Sequence, residues 1–209
     1  MKKIILTLAL VVAATSAAFA QIDGLTVGAG YLDNTIKTVY TSGSTTTTSA
    51  RTLGGFYAGL SYDVLTLGPG IIITPGLVFA STSFKGEEDL LGGVTSGNES
   101  YLAVPVNFSY KLDLVPGTLA IAPYAGPTFA YGLSSKSTYT LGNTSNTTDN
   151  YDGTTYGKFD LMVGVGLAFD IVDMIRVSVG YNMGLLDRNS DSDYKVTTSN
   201  INFGVAYLF

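Results

Sequence analysis

The segment Asn200-Ile-Asn-Phe-Gly-Val-Ala-Tyr-Leu-Phe209 decides the fold. Ile201, Phe203, Val205, Tyr207 and Phe209 alternate with Asn200, Asn202, Gly204, Ala206 and Leu208. Successive side chains of a β-strand point to opposite faces, so one face of this segment is wholly apolar or aromatic. Chain ends ordinarily fray and are polar, yet the alternation here still runs at Phe209. A soluble protein has to bury such a face in a core. A transmembrane barrel turns it to lipid and pairs both strand edges with neighbours.

The same period-two pattern recurs along the chain. Leu25, Val27, Ala29 and Tyr31 alternate with Thr26, Gly28 and Gly30. Phe56, Ala58, Leu60, Tyr62 and Val64 oppose Gly55, Tyr57, Gly59, Ser61 and Asp63. Ile71, Ile73, Pro75, Leu77 and Phe79 share a face, and Pro75 removes a ladder N–H, which predicts a bulge or distortion. Leu102, Val104, Val106, Phe108 and Tyr110 oppose Ala103, Pro105, Asn107, Ser109 and Lys111. Further strands follow over 119–133, 159–169 and 177–185, before the final one.

The spacers decide between barrel and β-sandwich. Ser42–Ser49, Lys85–Glu99, Ser134–Thr155 and Asp187–Asp193 read as four polar loops, rich in Thr, Ser, Asn and acidic residues. They alternate strictly with short turns at Leu67–Gly70, Asp113–Thr118 and Ile171–Met174. Long loops at one end and short turns at the other, with an even strand number, are the organisation of a membrane barrel. The fold class is therefore all-β: an eight-stranded antiparallel up-and-down transmembrane β-barrel. Eight strands place both termini on the periplasmic side.

Met1-Lys2-Lys3, the apolar run Ile4–Ala14 and Ala18-Phe19-Ala20 form a secretory signal, with Ala18 and Ala20 at the cleavage site. Residues 1–20 are thus the expected signal peptide and 21–209 the barrel domain. Removing Lys2 and Lys3 from 11 basic residues leaves 9 against 16 acidic ones, a net charge of −7. Nucleic acid is not a partner for such a surface, because its affinity rests on Lys and Arg contacts to phosphate. No Cys is present, so disulfides, thiol chemistry and a lipid-anchored Cys are absent.

No His is present either, which removes the usual general base. Asp187, Asp191 and Asp193 carry oxygen ligands, but Arg188 interrupts them and no EF-hand register exists. Glu87-Glu88-Asp89 likewise reads as a solvated acidic loop. The expectation is no enzyme activity, no metal and no cofactor. The inward face is more informative. Asp63, Lys111, Lys158, Asp160 and Arg176 fall on it beside Asn107, Asn182, Asn200 and Asn202. Asp170 shares that parity and is expected to pair with Arg176 across a tight turn. An eight-stranded barrel is only wide enough for side chains to fill it, and Tyr57 and Tyr124 among inward glycines suit that filling. A polar conduit is the alternative. Outward aromatics, Tyr31, Tyr62, Tyr110, Phe129 and Phe159 among them, read as interface girdles.

Tyr101-Leu-Ala-Val-Pro-Val-Asn-Phe-Ser-Tyr110, Ala122-Pro-Tyr-Ala-Gly-Pro127, Asp160 with Gly164-Val-Gly166, and Tyr181-Asn-Met-Gly-Leu185 resemble the outer-membrane β-barrel domain common in Bacteroidota. That family is described as PorT-like and is similar in architecture to the small OmpA and OmpX barrels. Ala103 stands where the family often has an acidic residue, so no role for that carboxylate carries over. The resemblance implies that Phe203, Val205, Tyr207 and Phe209 form the signal read by barrel-insertion machinery, after delivery by periplasmic chaperones. It implies outer-membrane lipid and lipopolysaccharide as surroundings, and an extracellular surface ligand as a possible partner. Three roles follow as expectations: structural or loop-mediated surface contact, a narrow pore for small solutes, or an accessory subunit of an envelope secretion machine.

Overall fold

The computed structural model describes residues 22–67, 70–89, 92–153, 156–191 and 193–209. The expected export segment, with Ala18 and Ala20, lies outside them. Eleven strands follow in order among the described residues: β1 (Leu25–Ser42), β2 (Thr45–Tyr62), β3 (Leu65–Leu67), β4 (Ile71–Glu88), β5 (Gly93–Tyr110), β6 (Leu112–Val115), β7 (Leu119–Leu141), β8 (Thr144–Asp149), β9 (Phe159–Ile171), β10 (Ile175–Gly184) and β11 (Tyr194–Leu208). Hydrogen bonding runs β2-β1-β11-β10-β9-β7-β5-β4, and β4 pairs back to β2, so the sheet closes. The short strands prolong their neighbours: β3 continues β2, β6 continues β5, and β8 leads into β9. Eight staves result, all antiparallel.

Around the turn-end half of the barrel, closure gives each stave a neighbour on both edges, which lipid demands because it offers no alternative partner. The outward face is apolar where that matters. Val165 is 57% exposed and Phe203 54%, values that water would not tolerate around a whole ring of such residues. On each stave the outward face then turns polar. Tyr31 gives way to Asp33 on β1, Phe79 to Ser81 on β4, Leu102 to Ser100 on β5, and Ile201 to Ser199 on β11. This apolar belt surrounds the end carrying the three short turns.

Beyond the belt the structure corrects the sequence reading. Ser42–Ser49, Lys85–Glu99 and Ser134–Thr155 are mostly sheet, not loop. β1 and β2 stay paired up to Ser42↔Thr45, β4 and β5 up to Glu88↔Val94, and β7 and β8 up to Leu141↔Thr144. Two hairpins close on Gly43-Ser44 and Gly142-Asn143, with the glycines at φ +59° and +57°. Glycine first and a short polar residue second is the type II′ arrangement, whose twist matches that of the strands it joins. The runs of Thr between them are β-branched and suit strands. Among the described residues the β8–β9 connection and the segment between Gly184 and Tyr194 stay irregular, joined by a bridge between Tyr156 and Asn189.

The ring splits above the belt. β2 and β4 stop pairing at Gly54↔Ser83, and β7 and β9 at Tyr131↔Phe159. Two walls therefore rise from the barrel, β11–β1–β2 and β4–β5–β7–β8. Arg51 spans the β2–β4 split from within, its guanidinium carbon 4.2 Å from the centre of the Phe84 ring. On β7 the register slips at Ser100/Tyr101, which leaves Leu133 bulged and turns Ser135 inward.

Pro75 distorts less than expected. The register of β4 on β5 is the same from Ile71↔Tyr110 to Lys85↔Ser96, with pairing lost only at Gly76 and Leu77. Those residues lie beside Pro75 and Pro105, whose missing donors interrupt the ladder without shifting it. At the turn end, Pro116-Gly117 makes the turn closed by Thr118 N–H to Val115 O at 2.9 Å, with Gly117 at φ +69°. The Ile171–Met174 turn places Val172 and Asp173 at φ +54° and +51°. A β-branched residue in that region is strained.

Inside, Tyr57 lies across Gly30 and Gly204, and Tyr124 across Gly166 and Gly180. A side chain at Gly166 would run into the Tyr124 ring and the Val179 carbonyl. Gly166→Val is accordingly expected to destabilise the refolded barrel by about 1–3 kcal/mol. The urea midpoint in micelles checks it, with outward Ala58→Val as the control that should move little.

Candidate functional site at the hairpin end

The mouth of the barrel, where the two walls separate, is filled by side chains from three distant parts of the chain. Glu99 comes from β5, Tyr151 and Tyr156 from the β8–β9 connection, and Arg188 from the β10–β11 connection. Arg188 Nη2 donates to Glu99 Oε1 at 2.7 Å and to the Tyr151 hydroxyl at 2.9 Å. Its Nη1 donates to Thr198 Oγ1 at 3.2 Å, and its Nε to the Gly157 carbonyl at 3.2 Å. The Tyr151 hydroxyl donates to Glu99 Oε1 at 2.8 Å. Arg188 is 6% exposed and Glu99 1%.

Local structure aims Arg188 inward. Asp187 Oδ1 accepts from the N–H groups of Asn189 and Val196, at 3.0 and 2.8 Å, and Asp191 Oδ1 accepts from Asp193 N–H at 3.1 Å. These carboxylates hydrogen-bond the backbone of their own connection, and among the described residues no three His, Cys, Asp or Glu side chains cluster for a metal. Arg188 N–H donates to Val196 O, and Gly157 N–H to Arg188 O, tying both connections together. The Tyr156 ring lies 4.6 Å under the guanidinium carbon and stacks on Tyr151 at 5.6 Å. Burial works against the Arg188 charge, but Glu99 and the two phenols outweigh it, and the group stays above its ordinary value. Burial, with Glu99 beside them, pushes both phenols up and keeps them neutral.

Sequence reading missed this cluster. Arg188 stood there only as an interruption of an acidic loop, and Glu99 only as the end of another. They are 89 residues apart. An inward parity for Glu99 is the one available signal, and the polar composition of 85–99, which reads as loop, hides it.

The predicted inward residues divide into two groups. Asp160, 2% exposed, joins the mouth. Lys158 precedes β9 and is exposed, its Nζ 5.5 Å from the centre of the Tyr151 ring, so it rims the mouth instead of lining the lumen. Asn107, Asn182 and Arg176 line a cavity of about 230 Å³ in the turn-end half of the lumen. Asn182 Nδ2 donates to Asn200 Oδ1 at 2.9 Å. Arg176 holds Asp170 through Nε and Nη2, at 2.6 and 2.8 Å, a two-pronged pair across the β9–β10 turn. Asp63 accepts from the Thr74 hydroxyl at 2.7 Å. Lys111 pairs with Asp173 at 3.0 Å, partly exposed at the turn end. Tyr207 and Phe209 make an edge-on ring contact at 4.8 Å, and Phe203 and Val205 face out of the barrel. Towards the mouth, Leu32, Tyr101 and Met162 close the cavity in an apolar cluster beneath Arg188.

A closed eight-staved sheet with an apolar belt is the architecture of a membrane β-barrel, and the sequence profile described as outer membrane protein beta-barrel domain matches residues 5–209. The chain belongs to that family. As an outer membrane β-barrel, it sets its apolar belt against bacterial outer-membrane lipid. No curated protein matches the chain significantly. Among solved structures it is similar to Ail, the attachment invasion locus protein of Yersinia pestis, at 16% identity, over 90% of this chain and 100% of that one, with a TM-score of 0.48. Neisserial surface protein A is similar at 13% identity, over 90% and 98% of the two chains, with a TM-score of 0.48. The outer membrane enzyme PagL is similar at 12% identity, over 84% and 99%, with a TM-score of 0.45.

Proposed function

We propose that this outer membrane β-barrel is a non-enzymatic surface-contact protein that presents its two rigid walls outside the cell. The observation that carries the reading is the continuation of paired sheet well past the apolar belt. Thr45–Arg51 on β2 and Thr144–Asp149 on β8 are exposed throughout, and above Gly54 the β2 edge has lost its β4 partner. An exposed strand edge offers backbone groups to a partner, and its Thr and Ser hydroxyls add adaptable hydrogen bonds. A hydrogen-bonded wall orders those groups in advance, so binding costs less entropy than a flexible loop would. In this reading residues 1–20 are removed on export, both termini face the periplasm, and Phe203, Val205, Tyr207 and Phe209 serve insertion.

The test shortens the walls in register. Deleting Tyr40, Thr41, Thr46 and Thr47 removes two facing pairs from the β1–β2 hairpin and preserves parity. Deleting Tyr139, Thr140, Ser145 and Asn146 does the same for β7–β8. Heat-modifiable gel mobility should remain that of a folded barrel. Adhesion of cells displaying the protein to glycan- and matrix-protein-coated surfaces should fall at least tenfold. Unchanged adhesion would remove the walls from the function. A pore is the less supported reading, because the Arg188 cluster fills the mouth and a folded barrel is then silent in a planar bilayer.

A further inference from the structure

We propose that the pocket formed by Asn34, Glu99 and Asp160 binds one monovalent cation of sodium size. The three side chains come from β1, β5 and β9 and are 1%, 1% and 2% exposed. Among the described residues, five of their polar atoms have no hydrogen-bond partner: Asn34 Oδ1 and Nδ2, Glu99 Oε2, and both carboxylate oxygens of Asp160. The Thr198 hydroxyl and the Leu161 amide lie near Asp160, but neither meets its carboxylate in hydrogen-bond geometry. All three residues line one small pocket of about 10 Å³. That is room for a single atom-sized occupant.

Charge and donor count identify the occupant. Buried polar atoms are almost always satisfied, and a buried carboxylate without compensation is costly. Glu99 and Asp160 bring two negative charges, and Arg188 returns one through Glu99 Oε1. Lys158 touches the pocket, but the side chain is exposed and its ammonium lies over the Tyr151 ring. One negative charge remains inside. Four of the five unpartnered atoms are acceptors. A water has two protons and leaves two of them unmet, whereas a cation faces all four. Calcium takes six to eight oxygens, and a guanidinium beside the site opposes a second positive charge. A monovalent ion matches both the charge and the available oxygens.

The experiment uses the full barrel refolded in detergent micelles free of lipopolysaccharide. Its thermal midpoint is followed by far-UV circular dichroism while sodium chloride replaces N-methylglucamine chloride at constant ionic strength. The midpoint is expected to rise by roughly 5–10 °C over a hundredfold range of sodium above its dissociation constant. Asp160→Asn should abolish the rise while keeping the heat-modifiable mobility. If that variant does not fold, Asn34→Asp, which adds a carboxylate, should steepen it. Equal midpoints in the two salts would assign the pocket to water or to a proton on Asp160. A response to calcium alone, or a sodium response untouched by both substitutions, would also overturn the proposal.

Discussion

Arg188→Ala is expected to destabilise the barrel by about 3–5 kcal/mol, because it leaves Glu99 charged and buried with its main partner gone. The pair itself need not add much net stability, since burying two charges costs nearly what their attraction returns. What is costly is breaking it from one side. The double variant Glu99→Gln, Arg188→Met should therefore lose less than Arg188→Ala alone. Urea unfolding in micelles measures both, with an unchanged slope showing that the folded and unfolded states keep their exposure. Arg188→Ala also removes the side chain that fills the mouth. In a planar bilayer it should give discrete conductance steps, and the parent barrel should give none. A loss below about 1 kcal/mol would show that the cluster is solvated and is no plug.

Val165→Arg is the second large effect. Val165 is the central residue of β9, faces outward between Ala125 and Tyr181, and lies in the middle of the apolar belt. An arginine at the midplane of a membrane barrel costs about 2–4 kcal/mol, falling towards zero at the interfaces. The comparison is Thr41→Arg, on the exposed part of β1 beyond the belt, where about 0.5 kcal/mol or less is expected. Folding into lipid bilayers, with the urea midpoint read in bilayer and in micelle, separates the two sites. Equal costs at both would place the membrane elsewhere on the barrel.

Much of this molecule was legible as sequence. Period-two alternation set which residues of Phe56–Val64, Leu102–Lys111 and Asn200–Phe209 face out, because strand geometry leaves a side chain only two directions. The alternation of polar spacers with short turns set the stave number and the up-and-down order. Asp170 and Arg176 were within reach of inspection because their strands are joined by a tight turn, which brings Asp170 opposite Arg176. The extent of the walls was partly legible: Gly43-Ser44 and Gly142-Asn143 are hairpin turns by composition, but polar runs around them read as loop.

Composition alone cannot separate a solvated loop from a solvated strand, since both are polar on every side. Pairing with neighbours decides it, and pairing is tertiary. The mouth lay further still beyond sequence. Glu99, the Tyr151 and Tyr156 pair, and Arg188 come from three separate parts of the chain with no common spacing, and each is individually an ordinary polar or aromatic residue in a polar stretch. Alternation, length and turn chemistry are local, so the sequence by itself determined the barrel and its lipid face. The plug and the pocket beneath it depend on which connections fold back over the lumen, and only closure of the sheet brings those residues together.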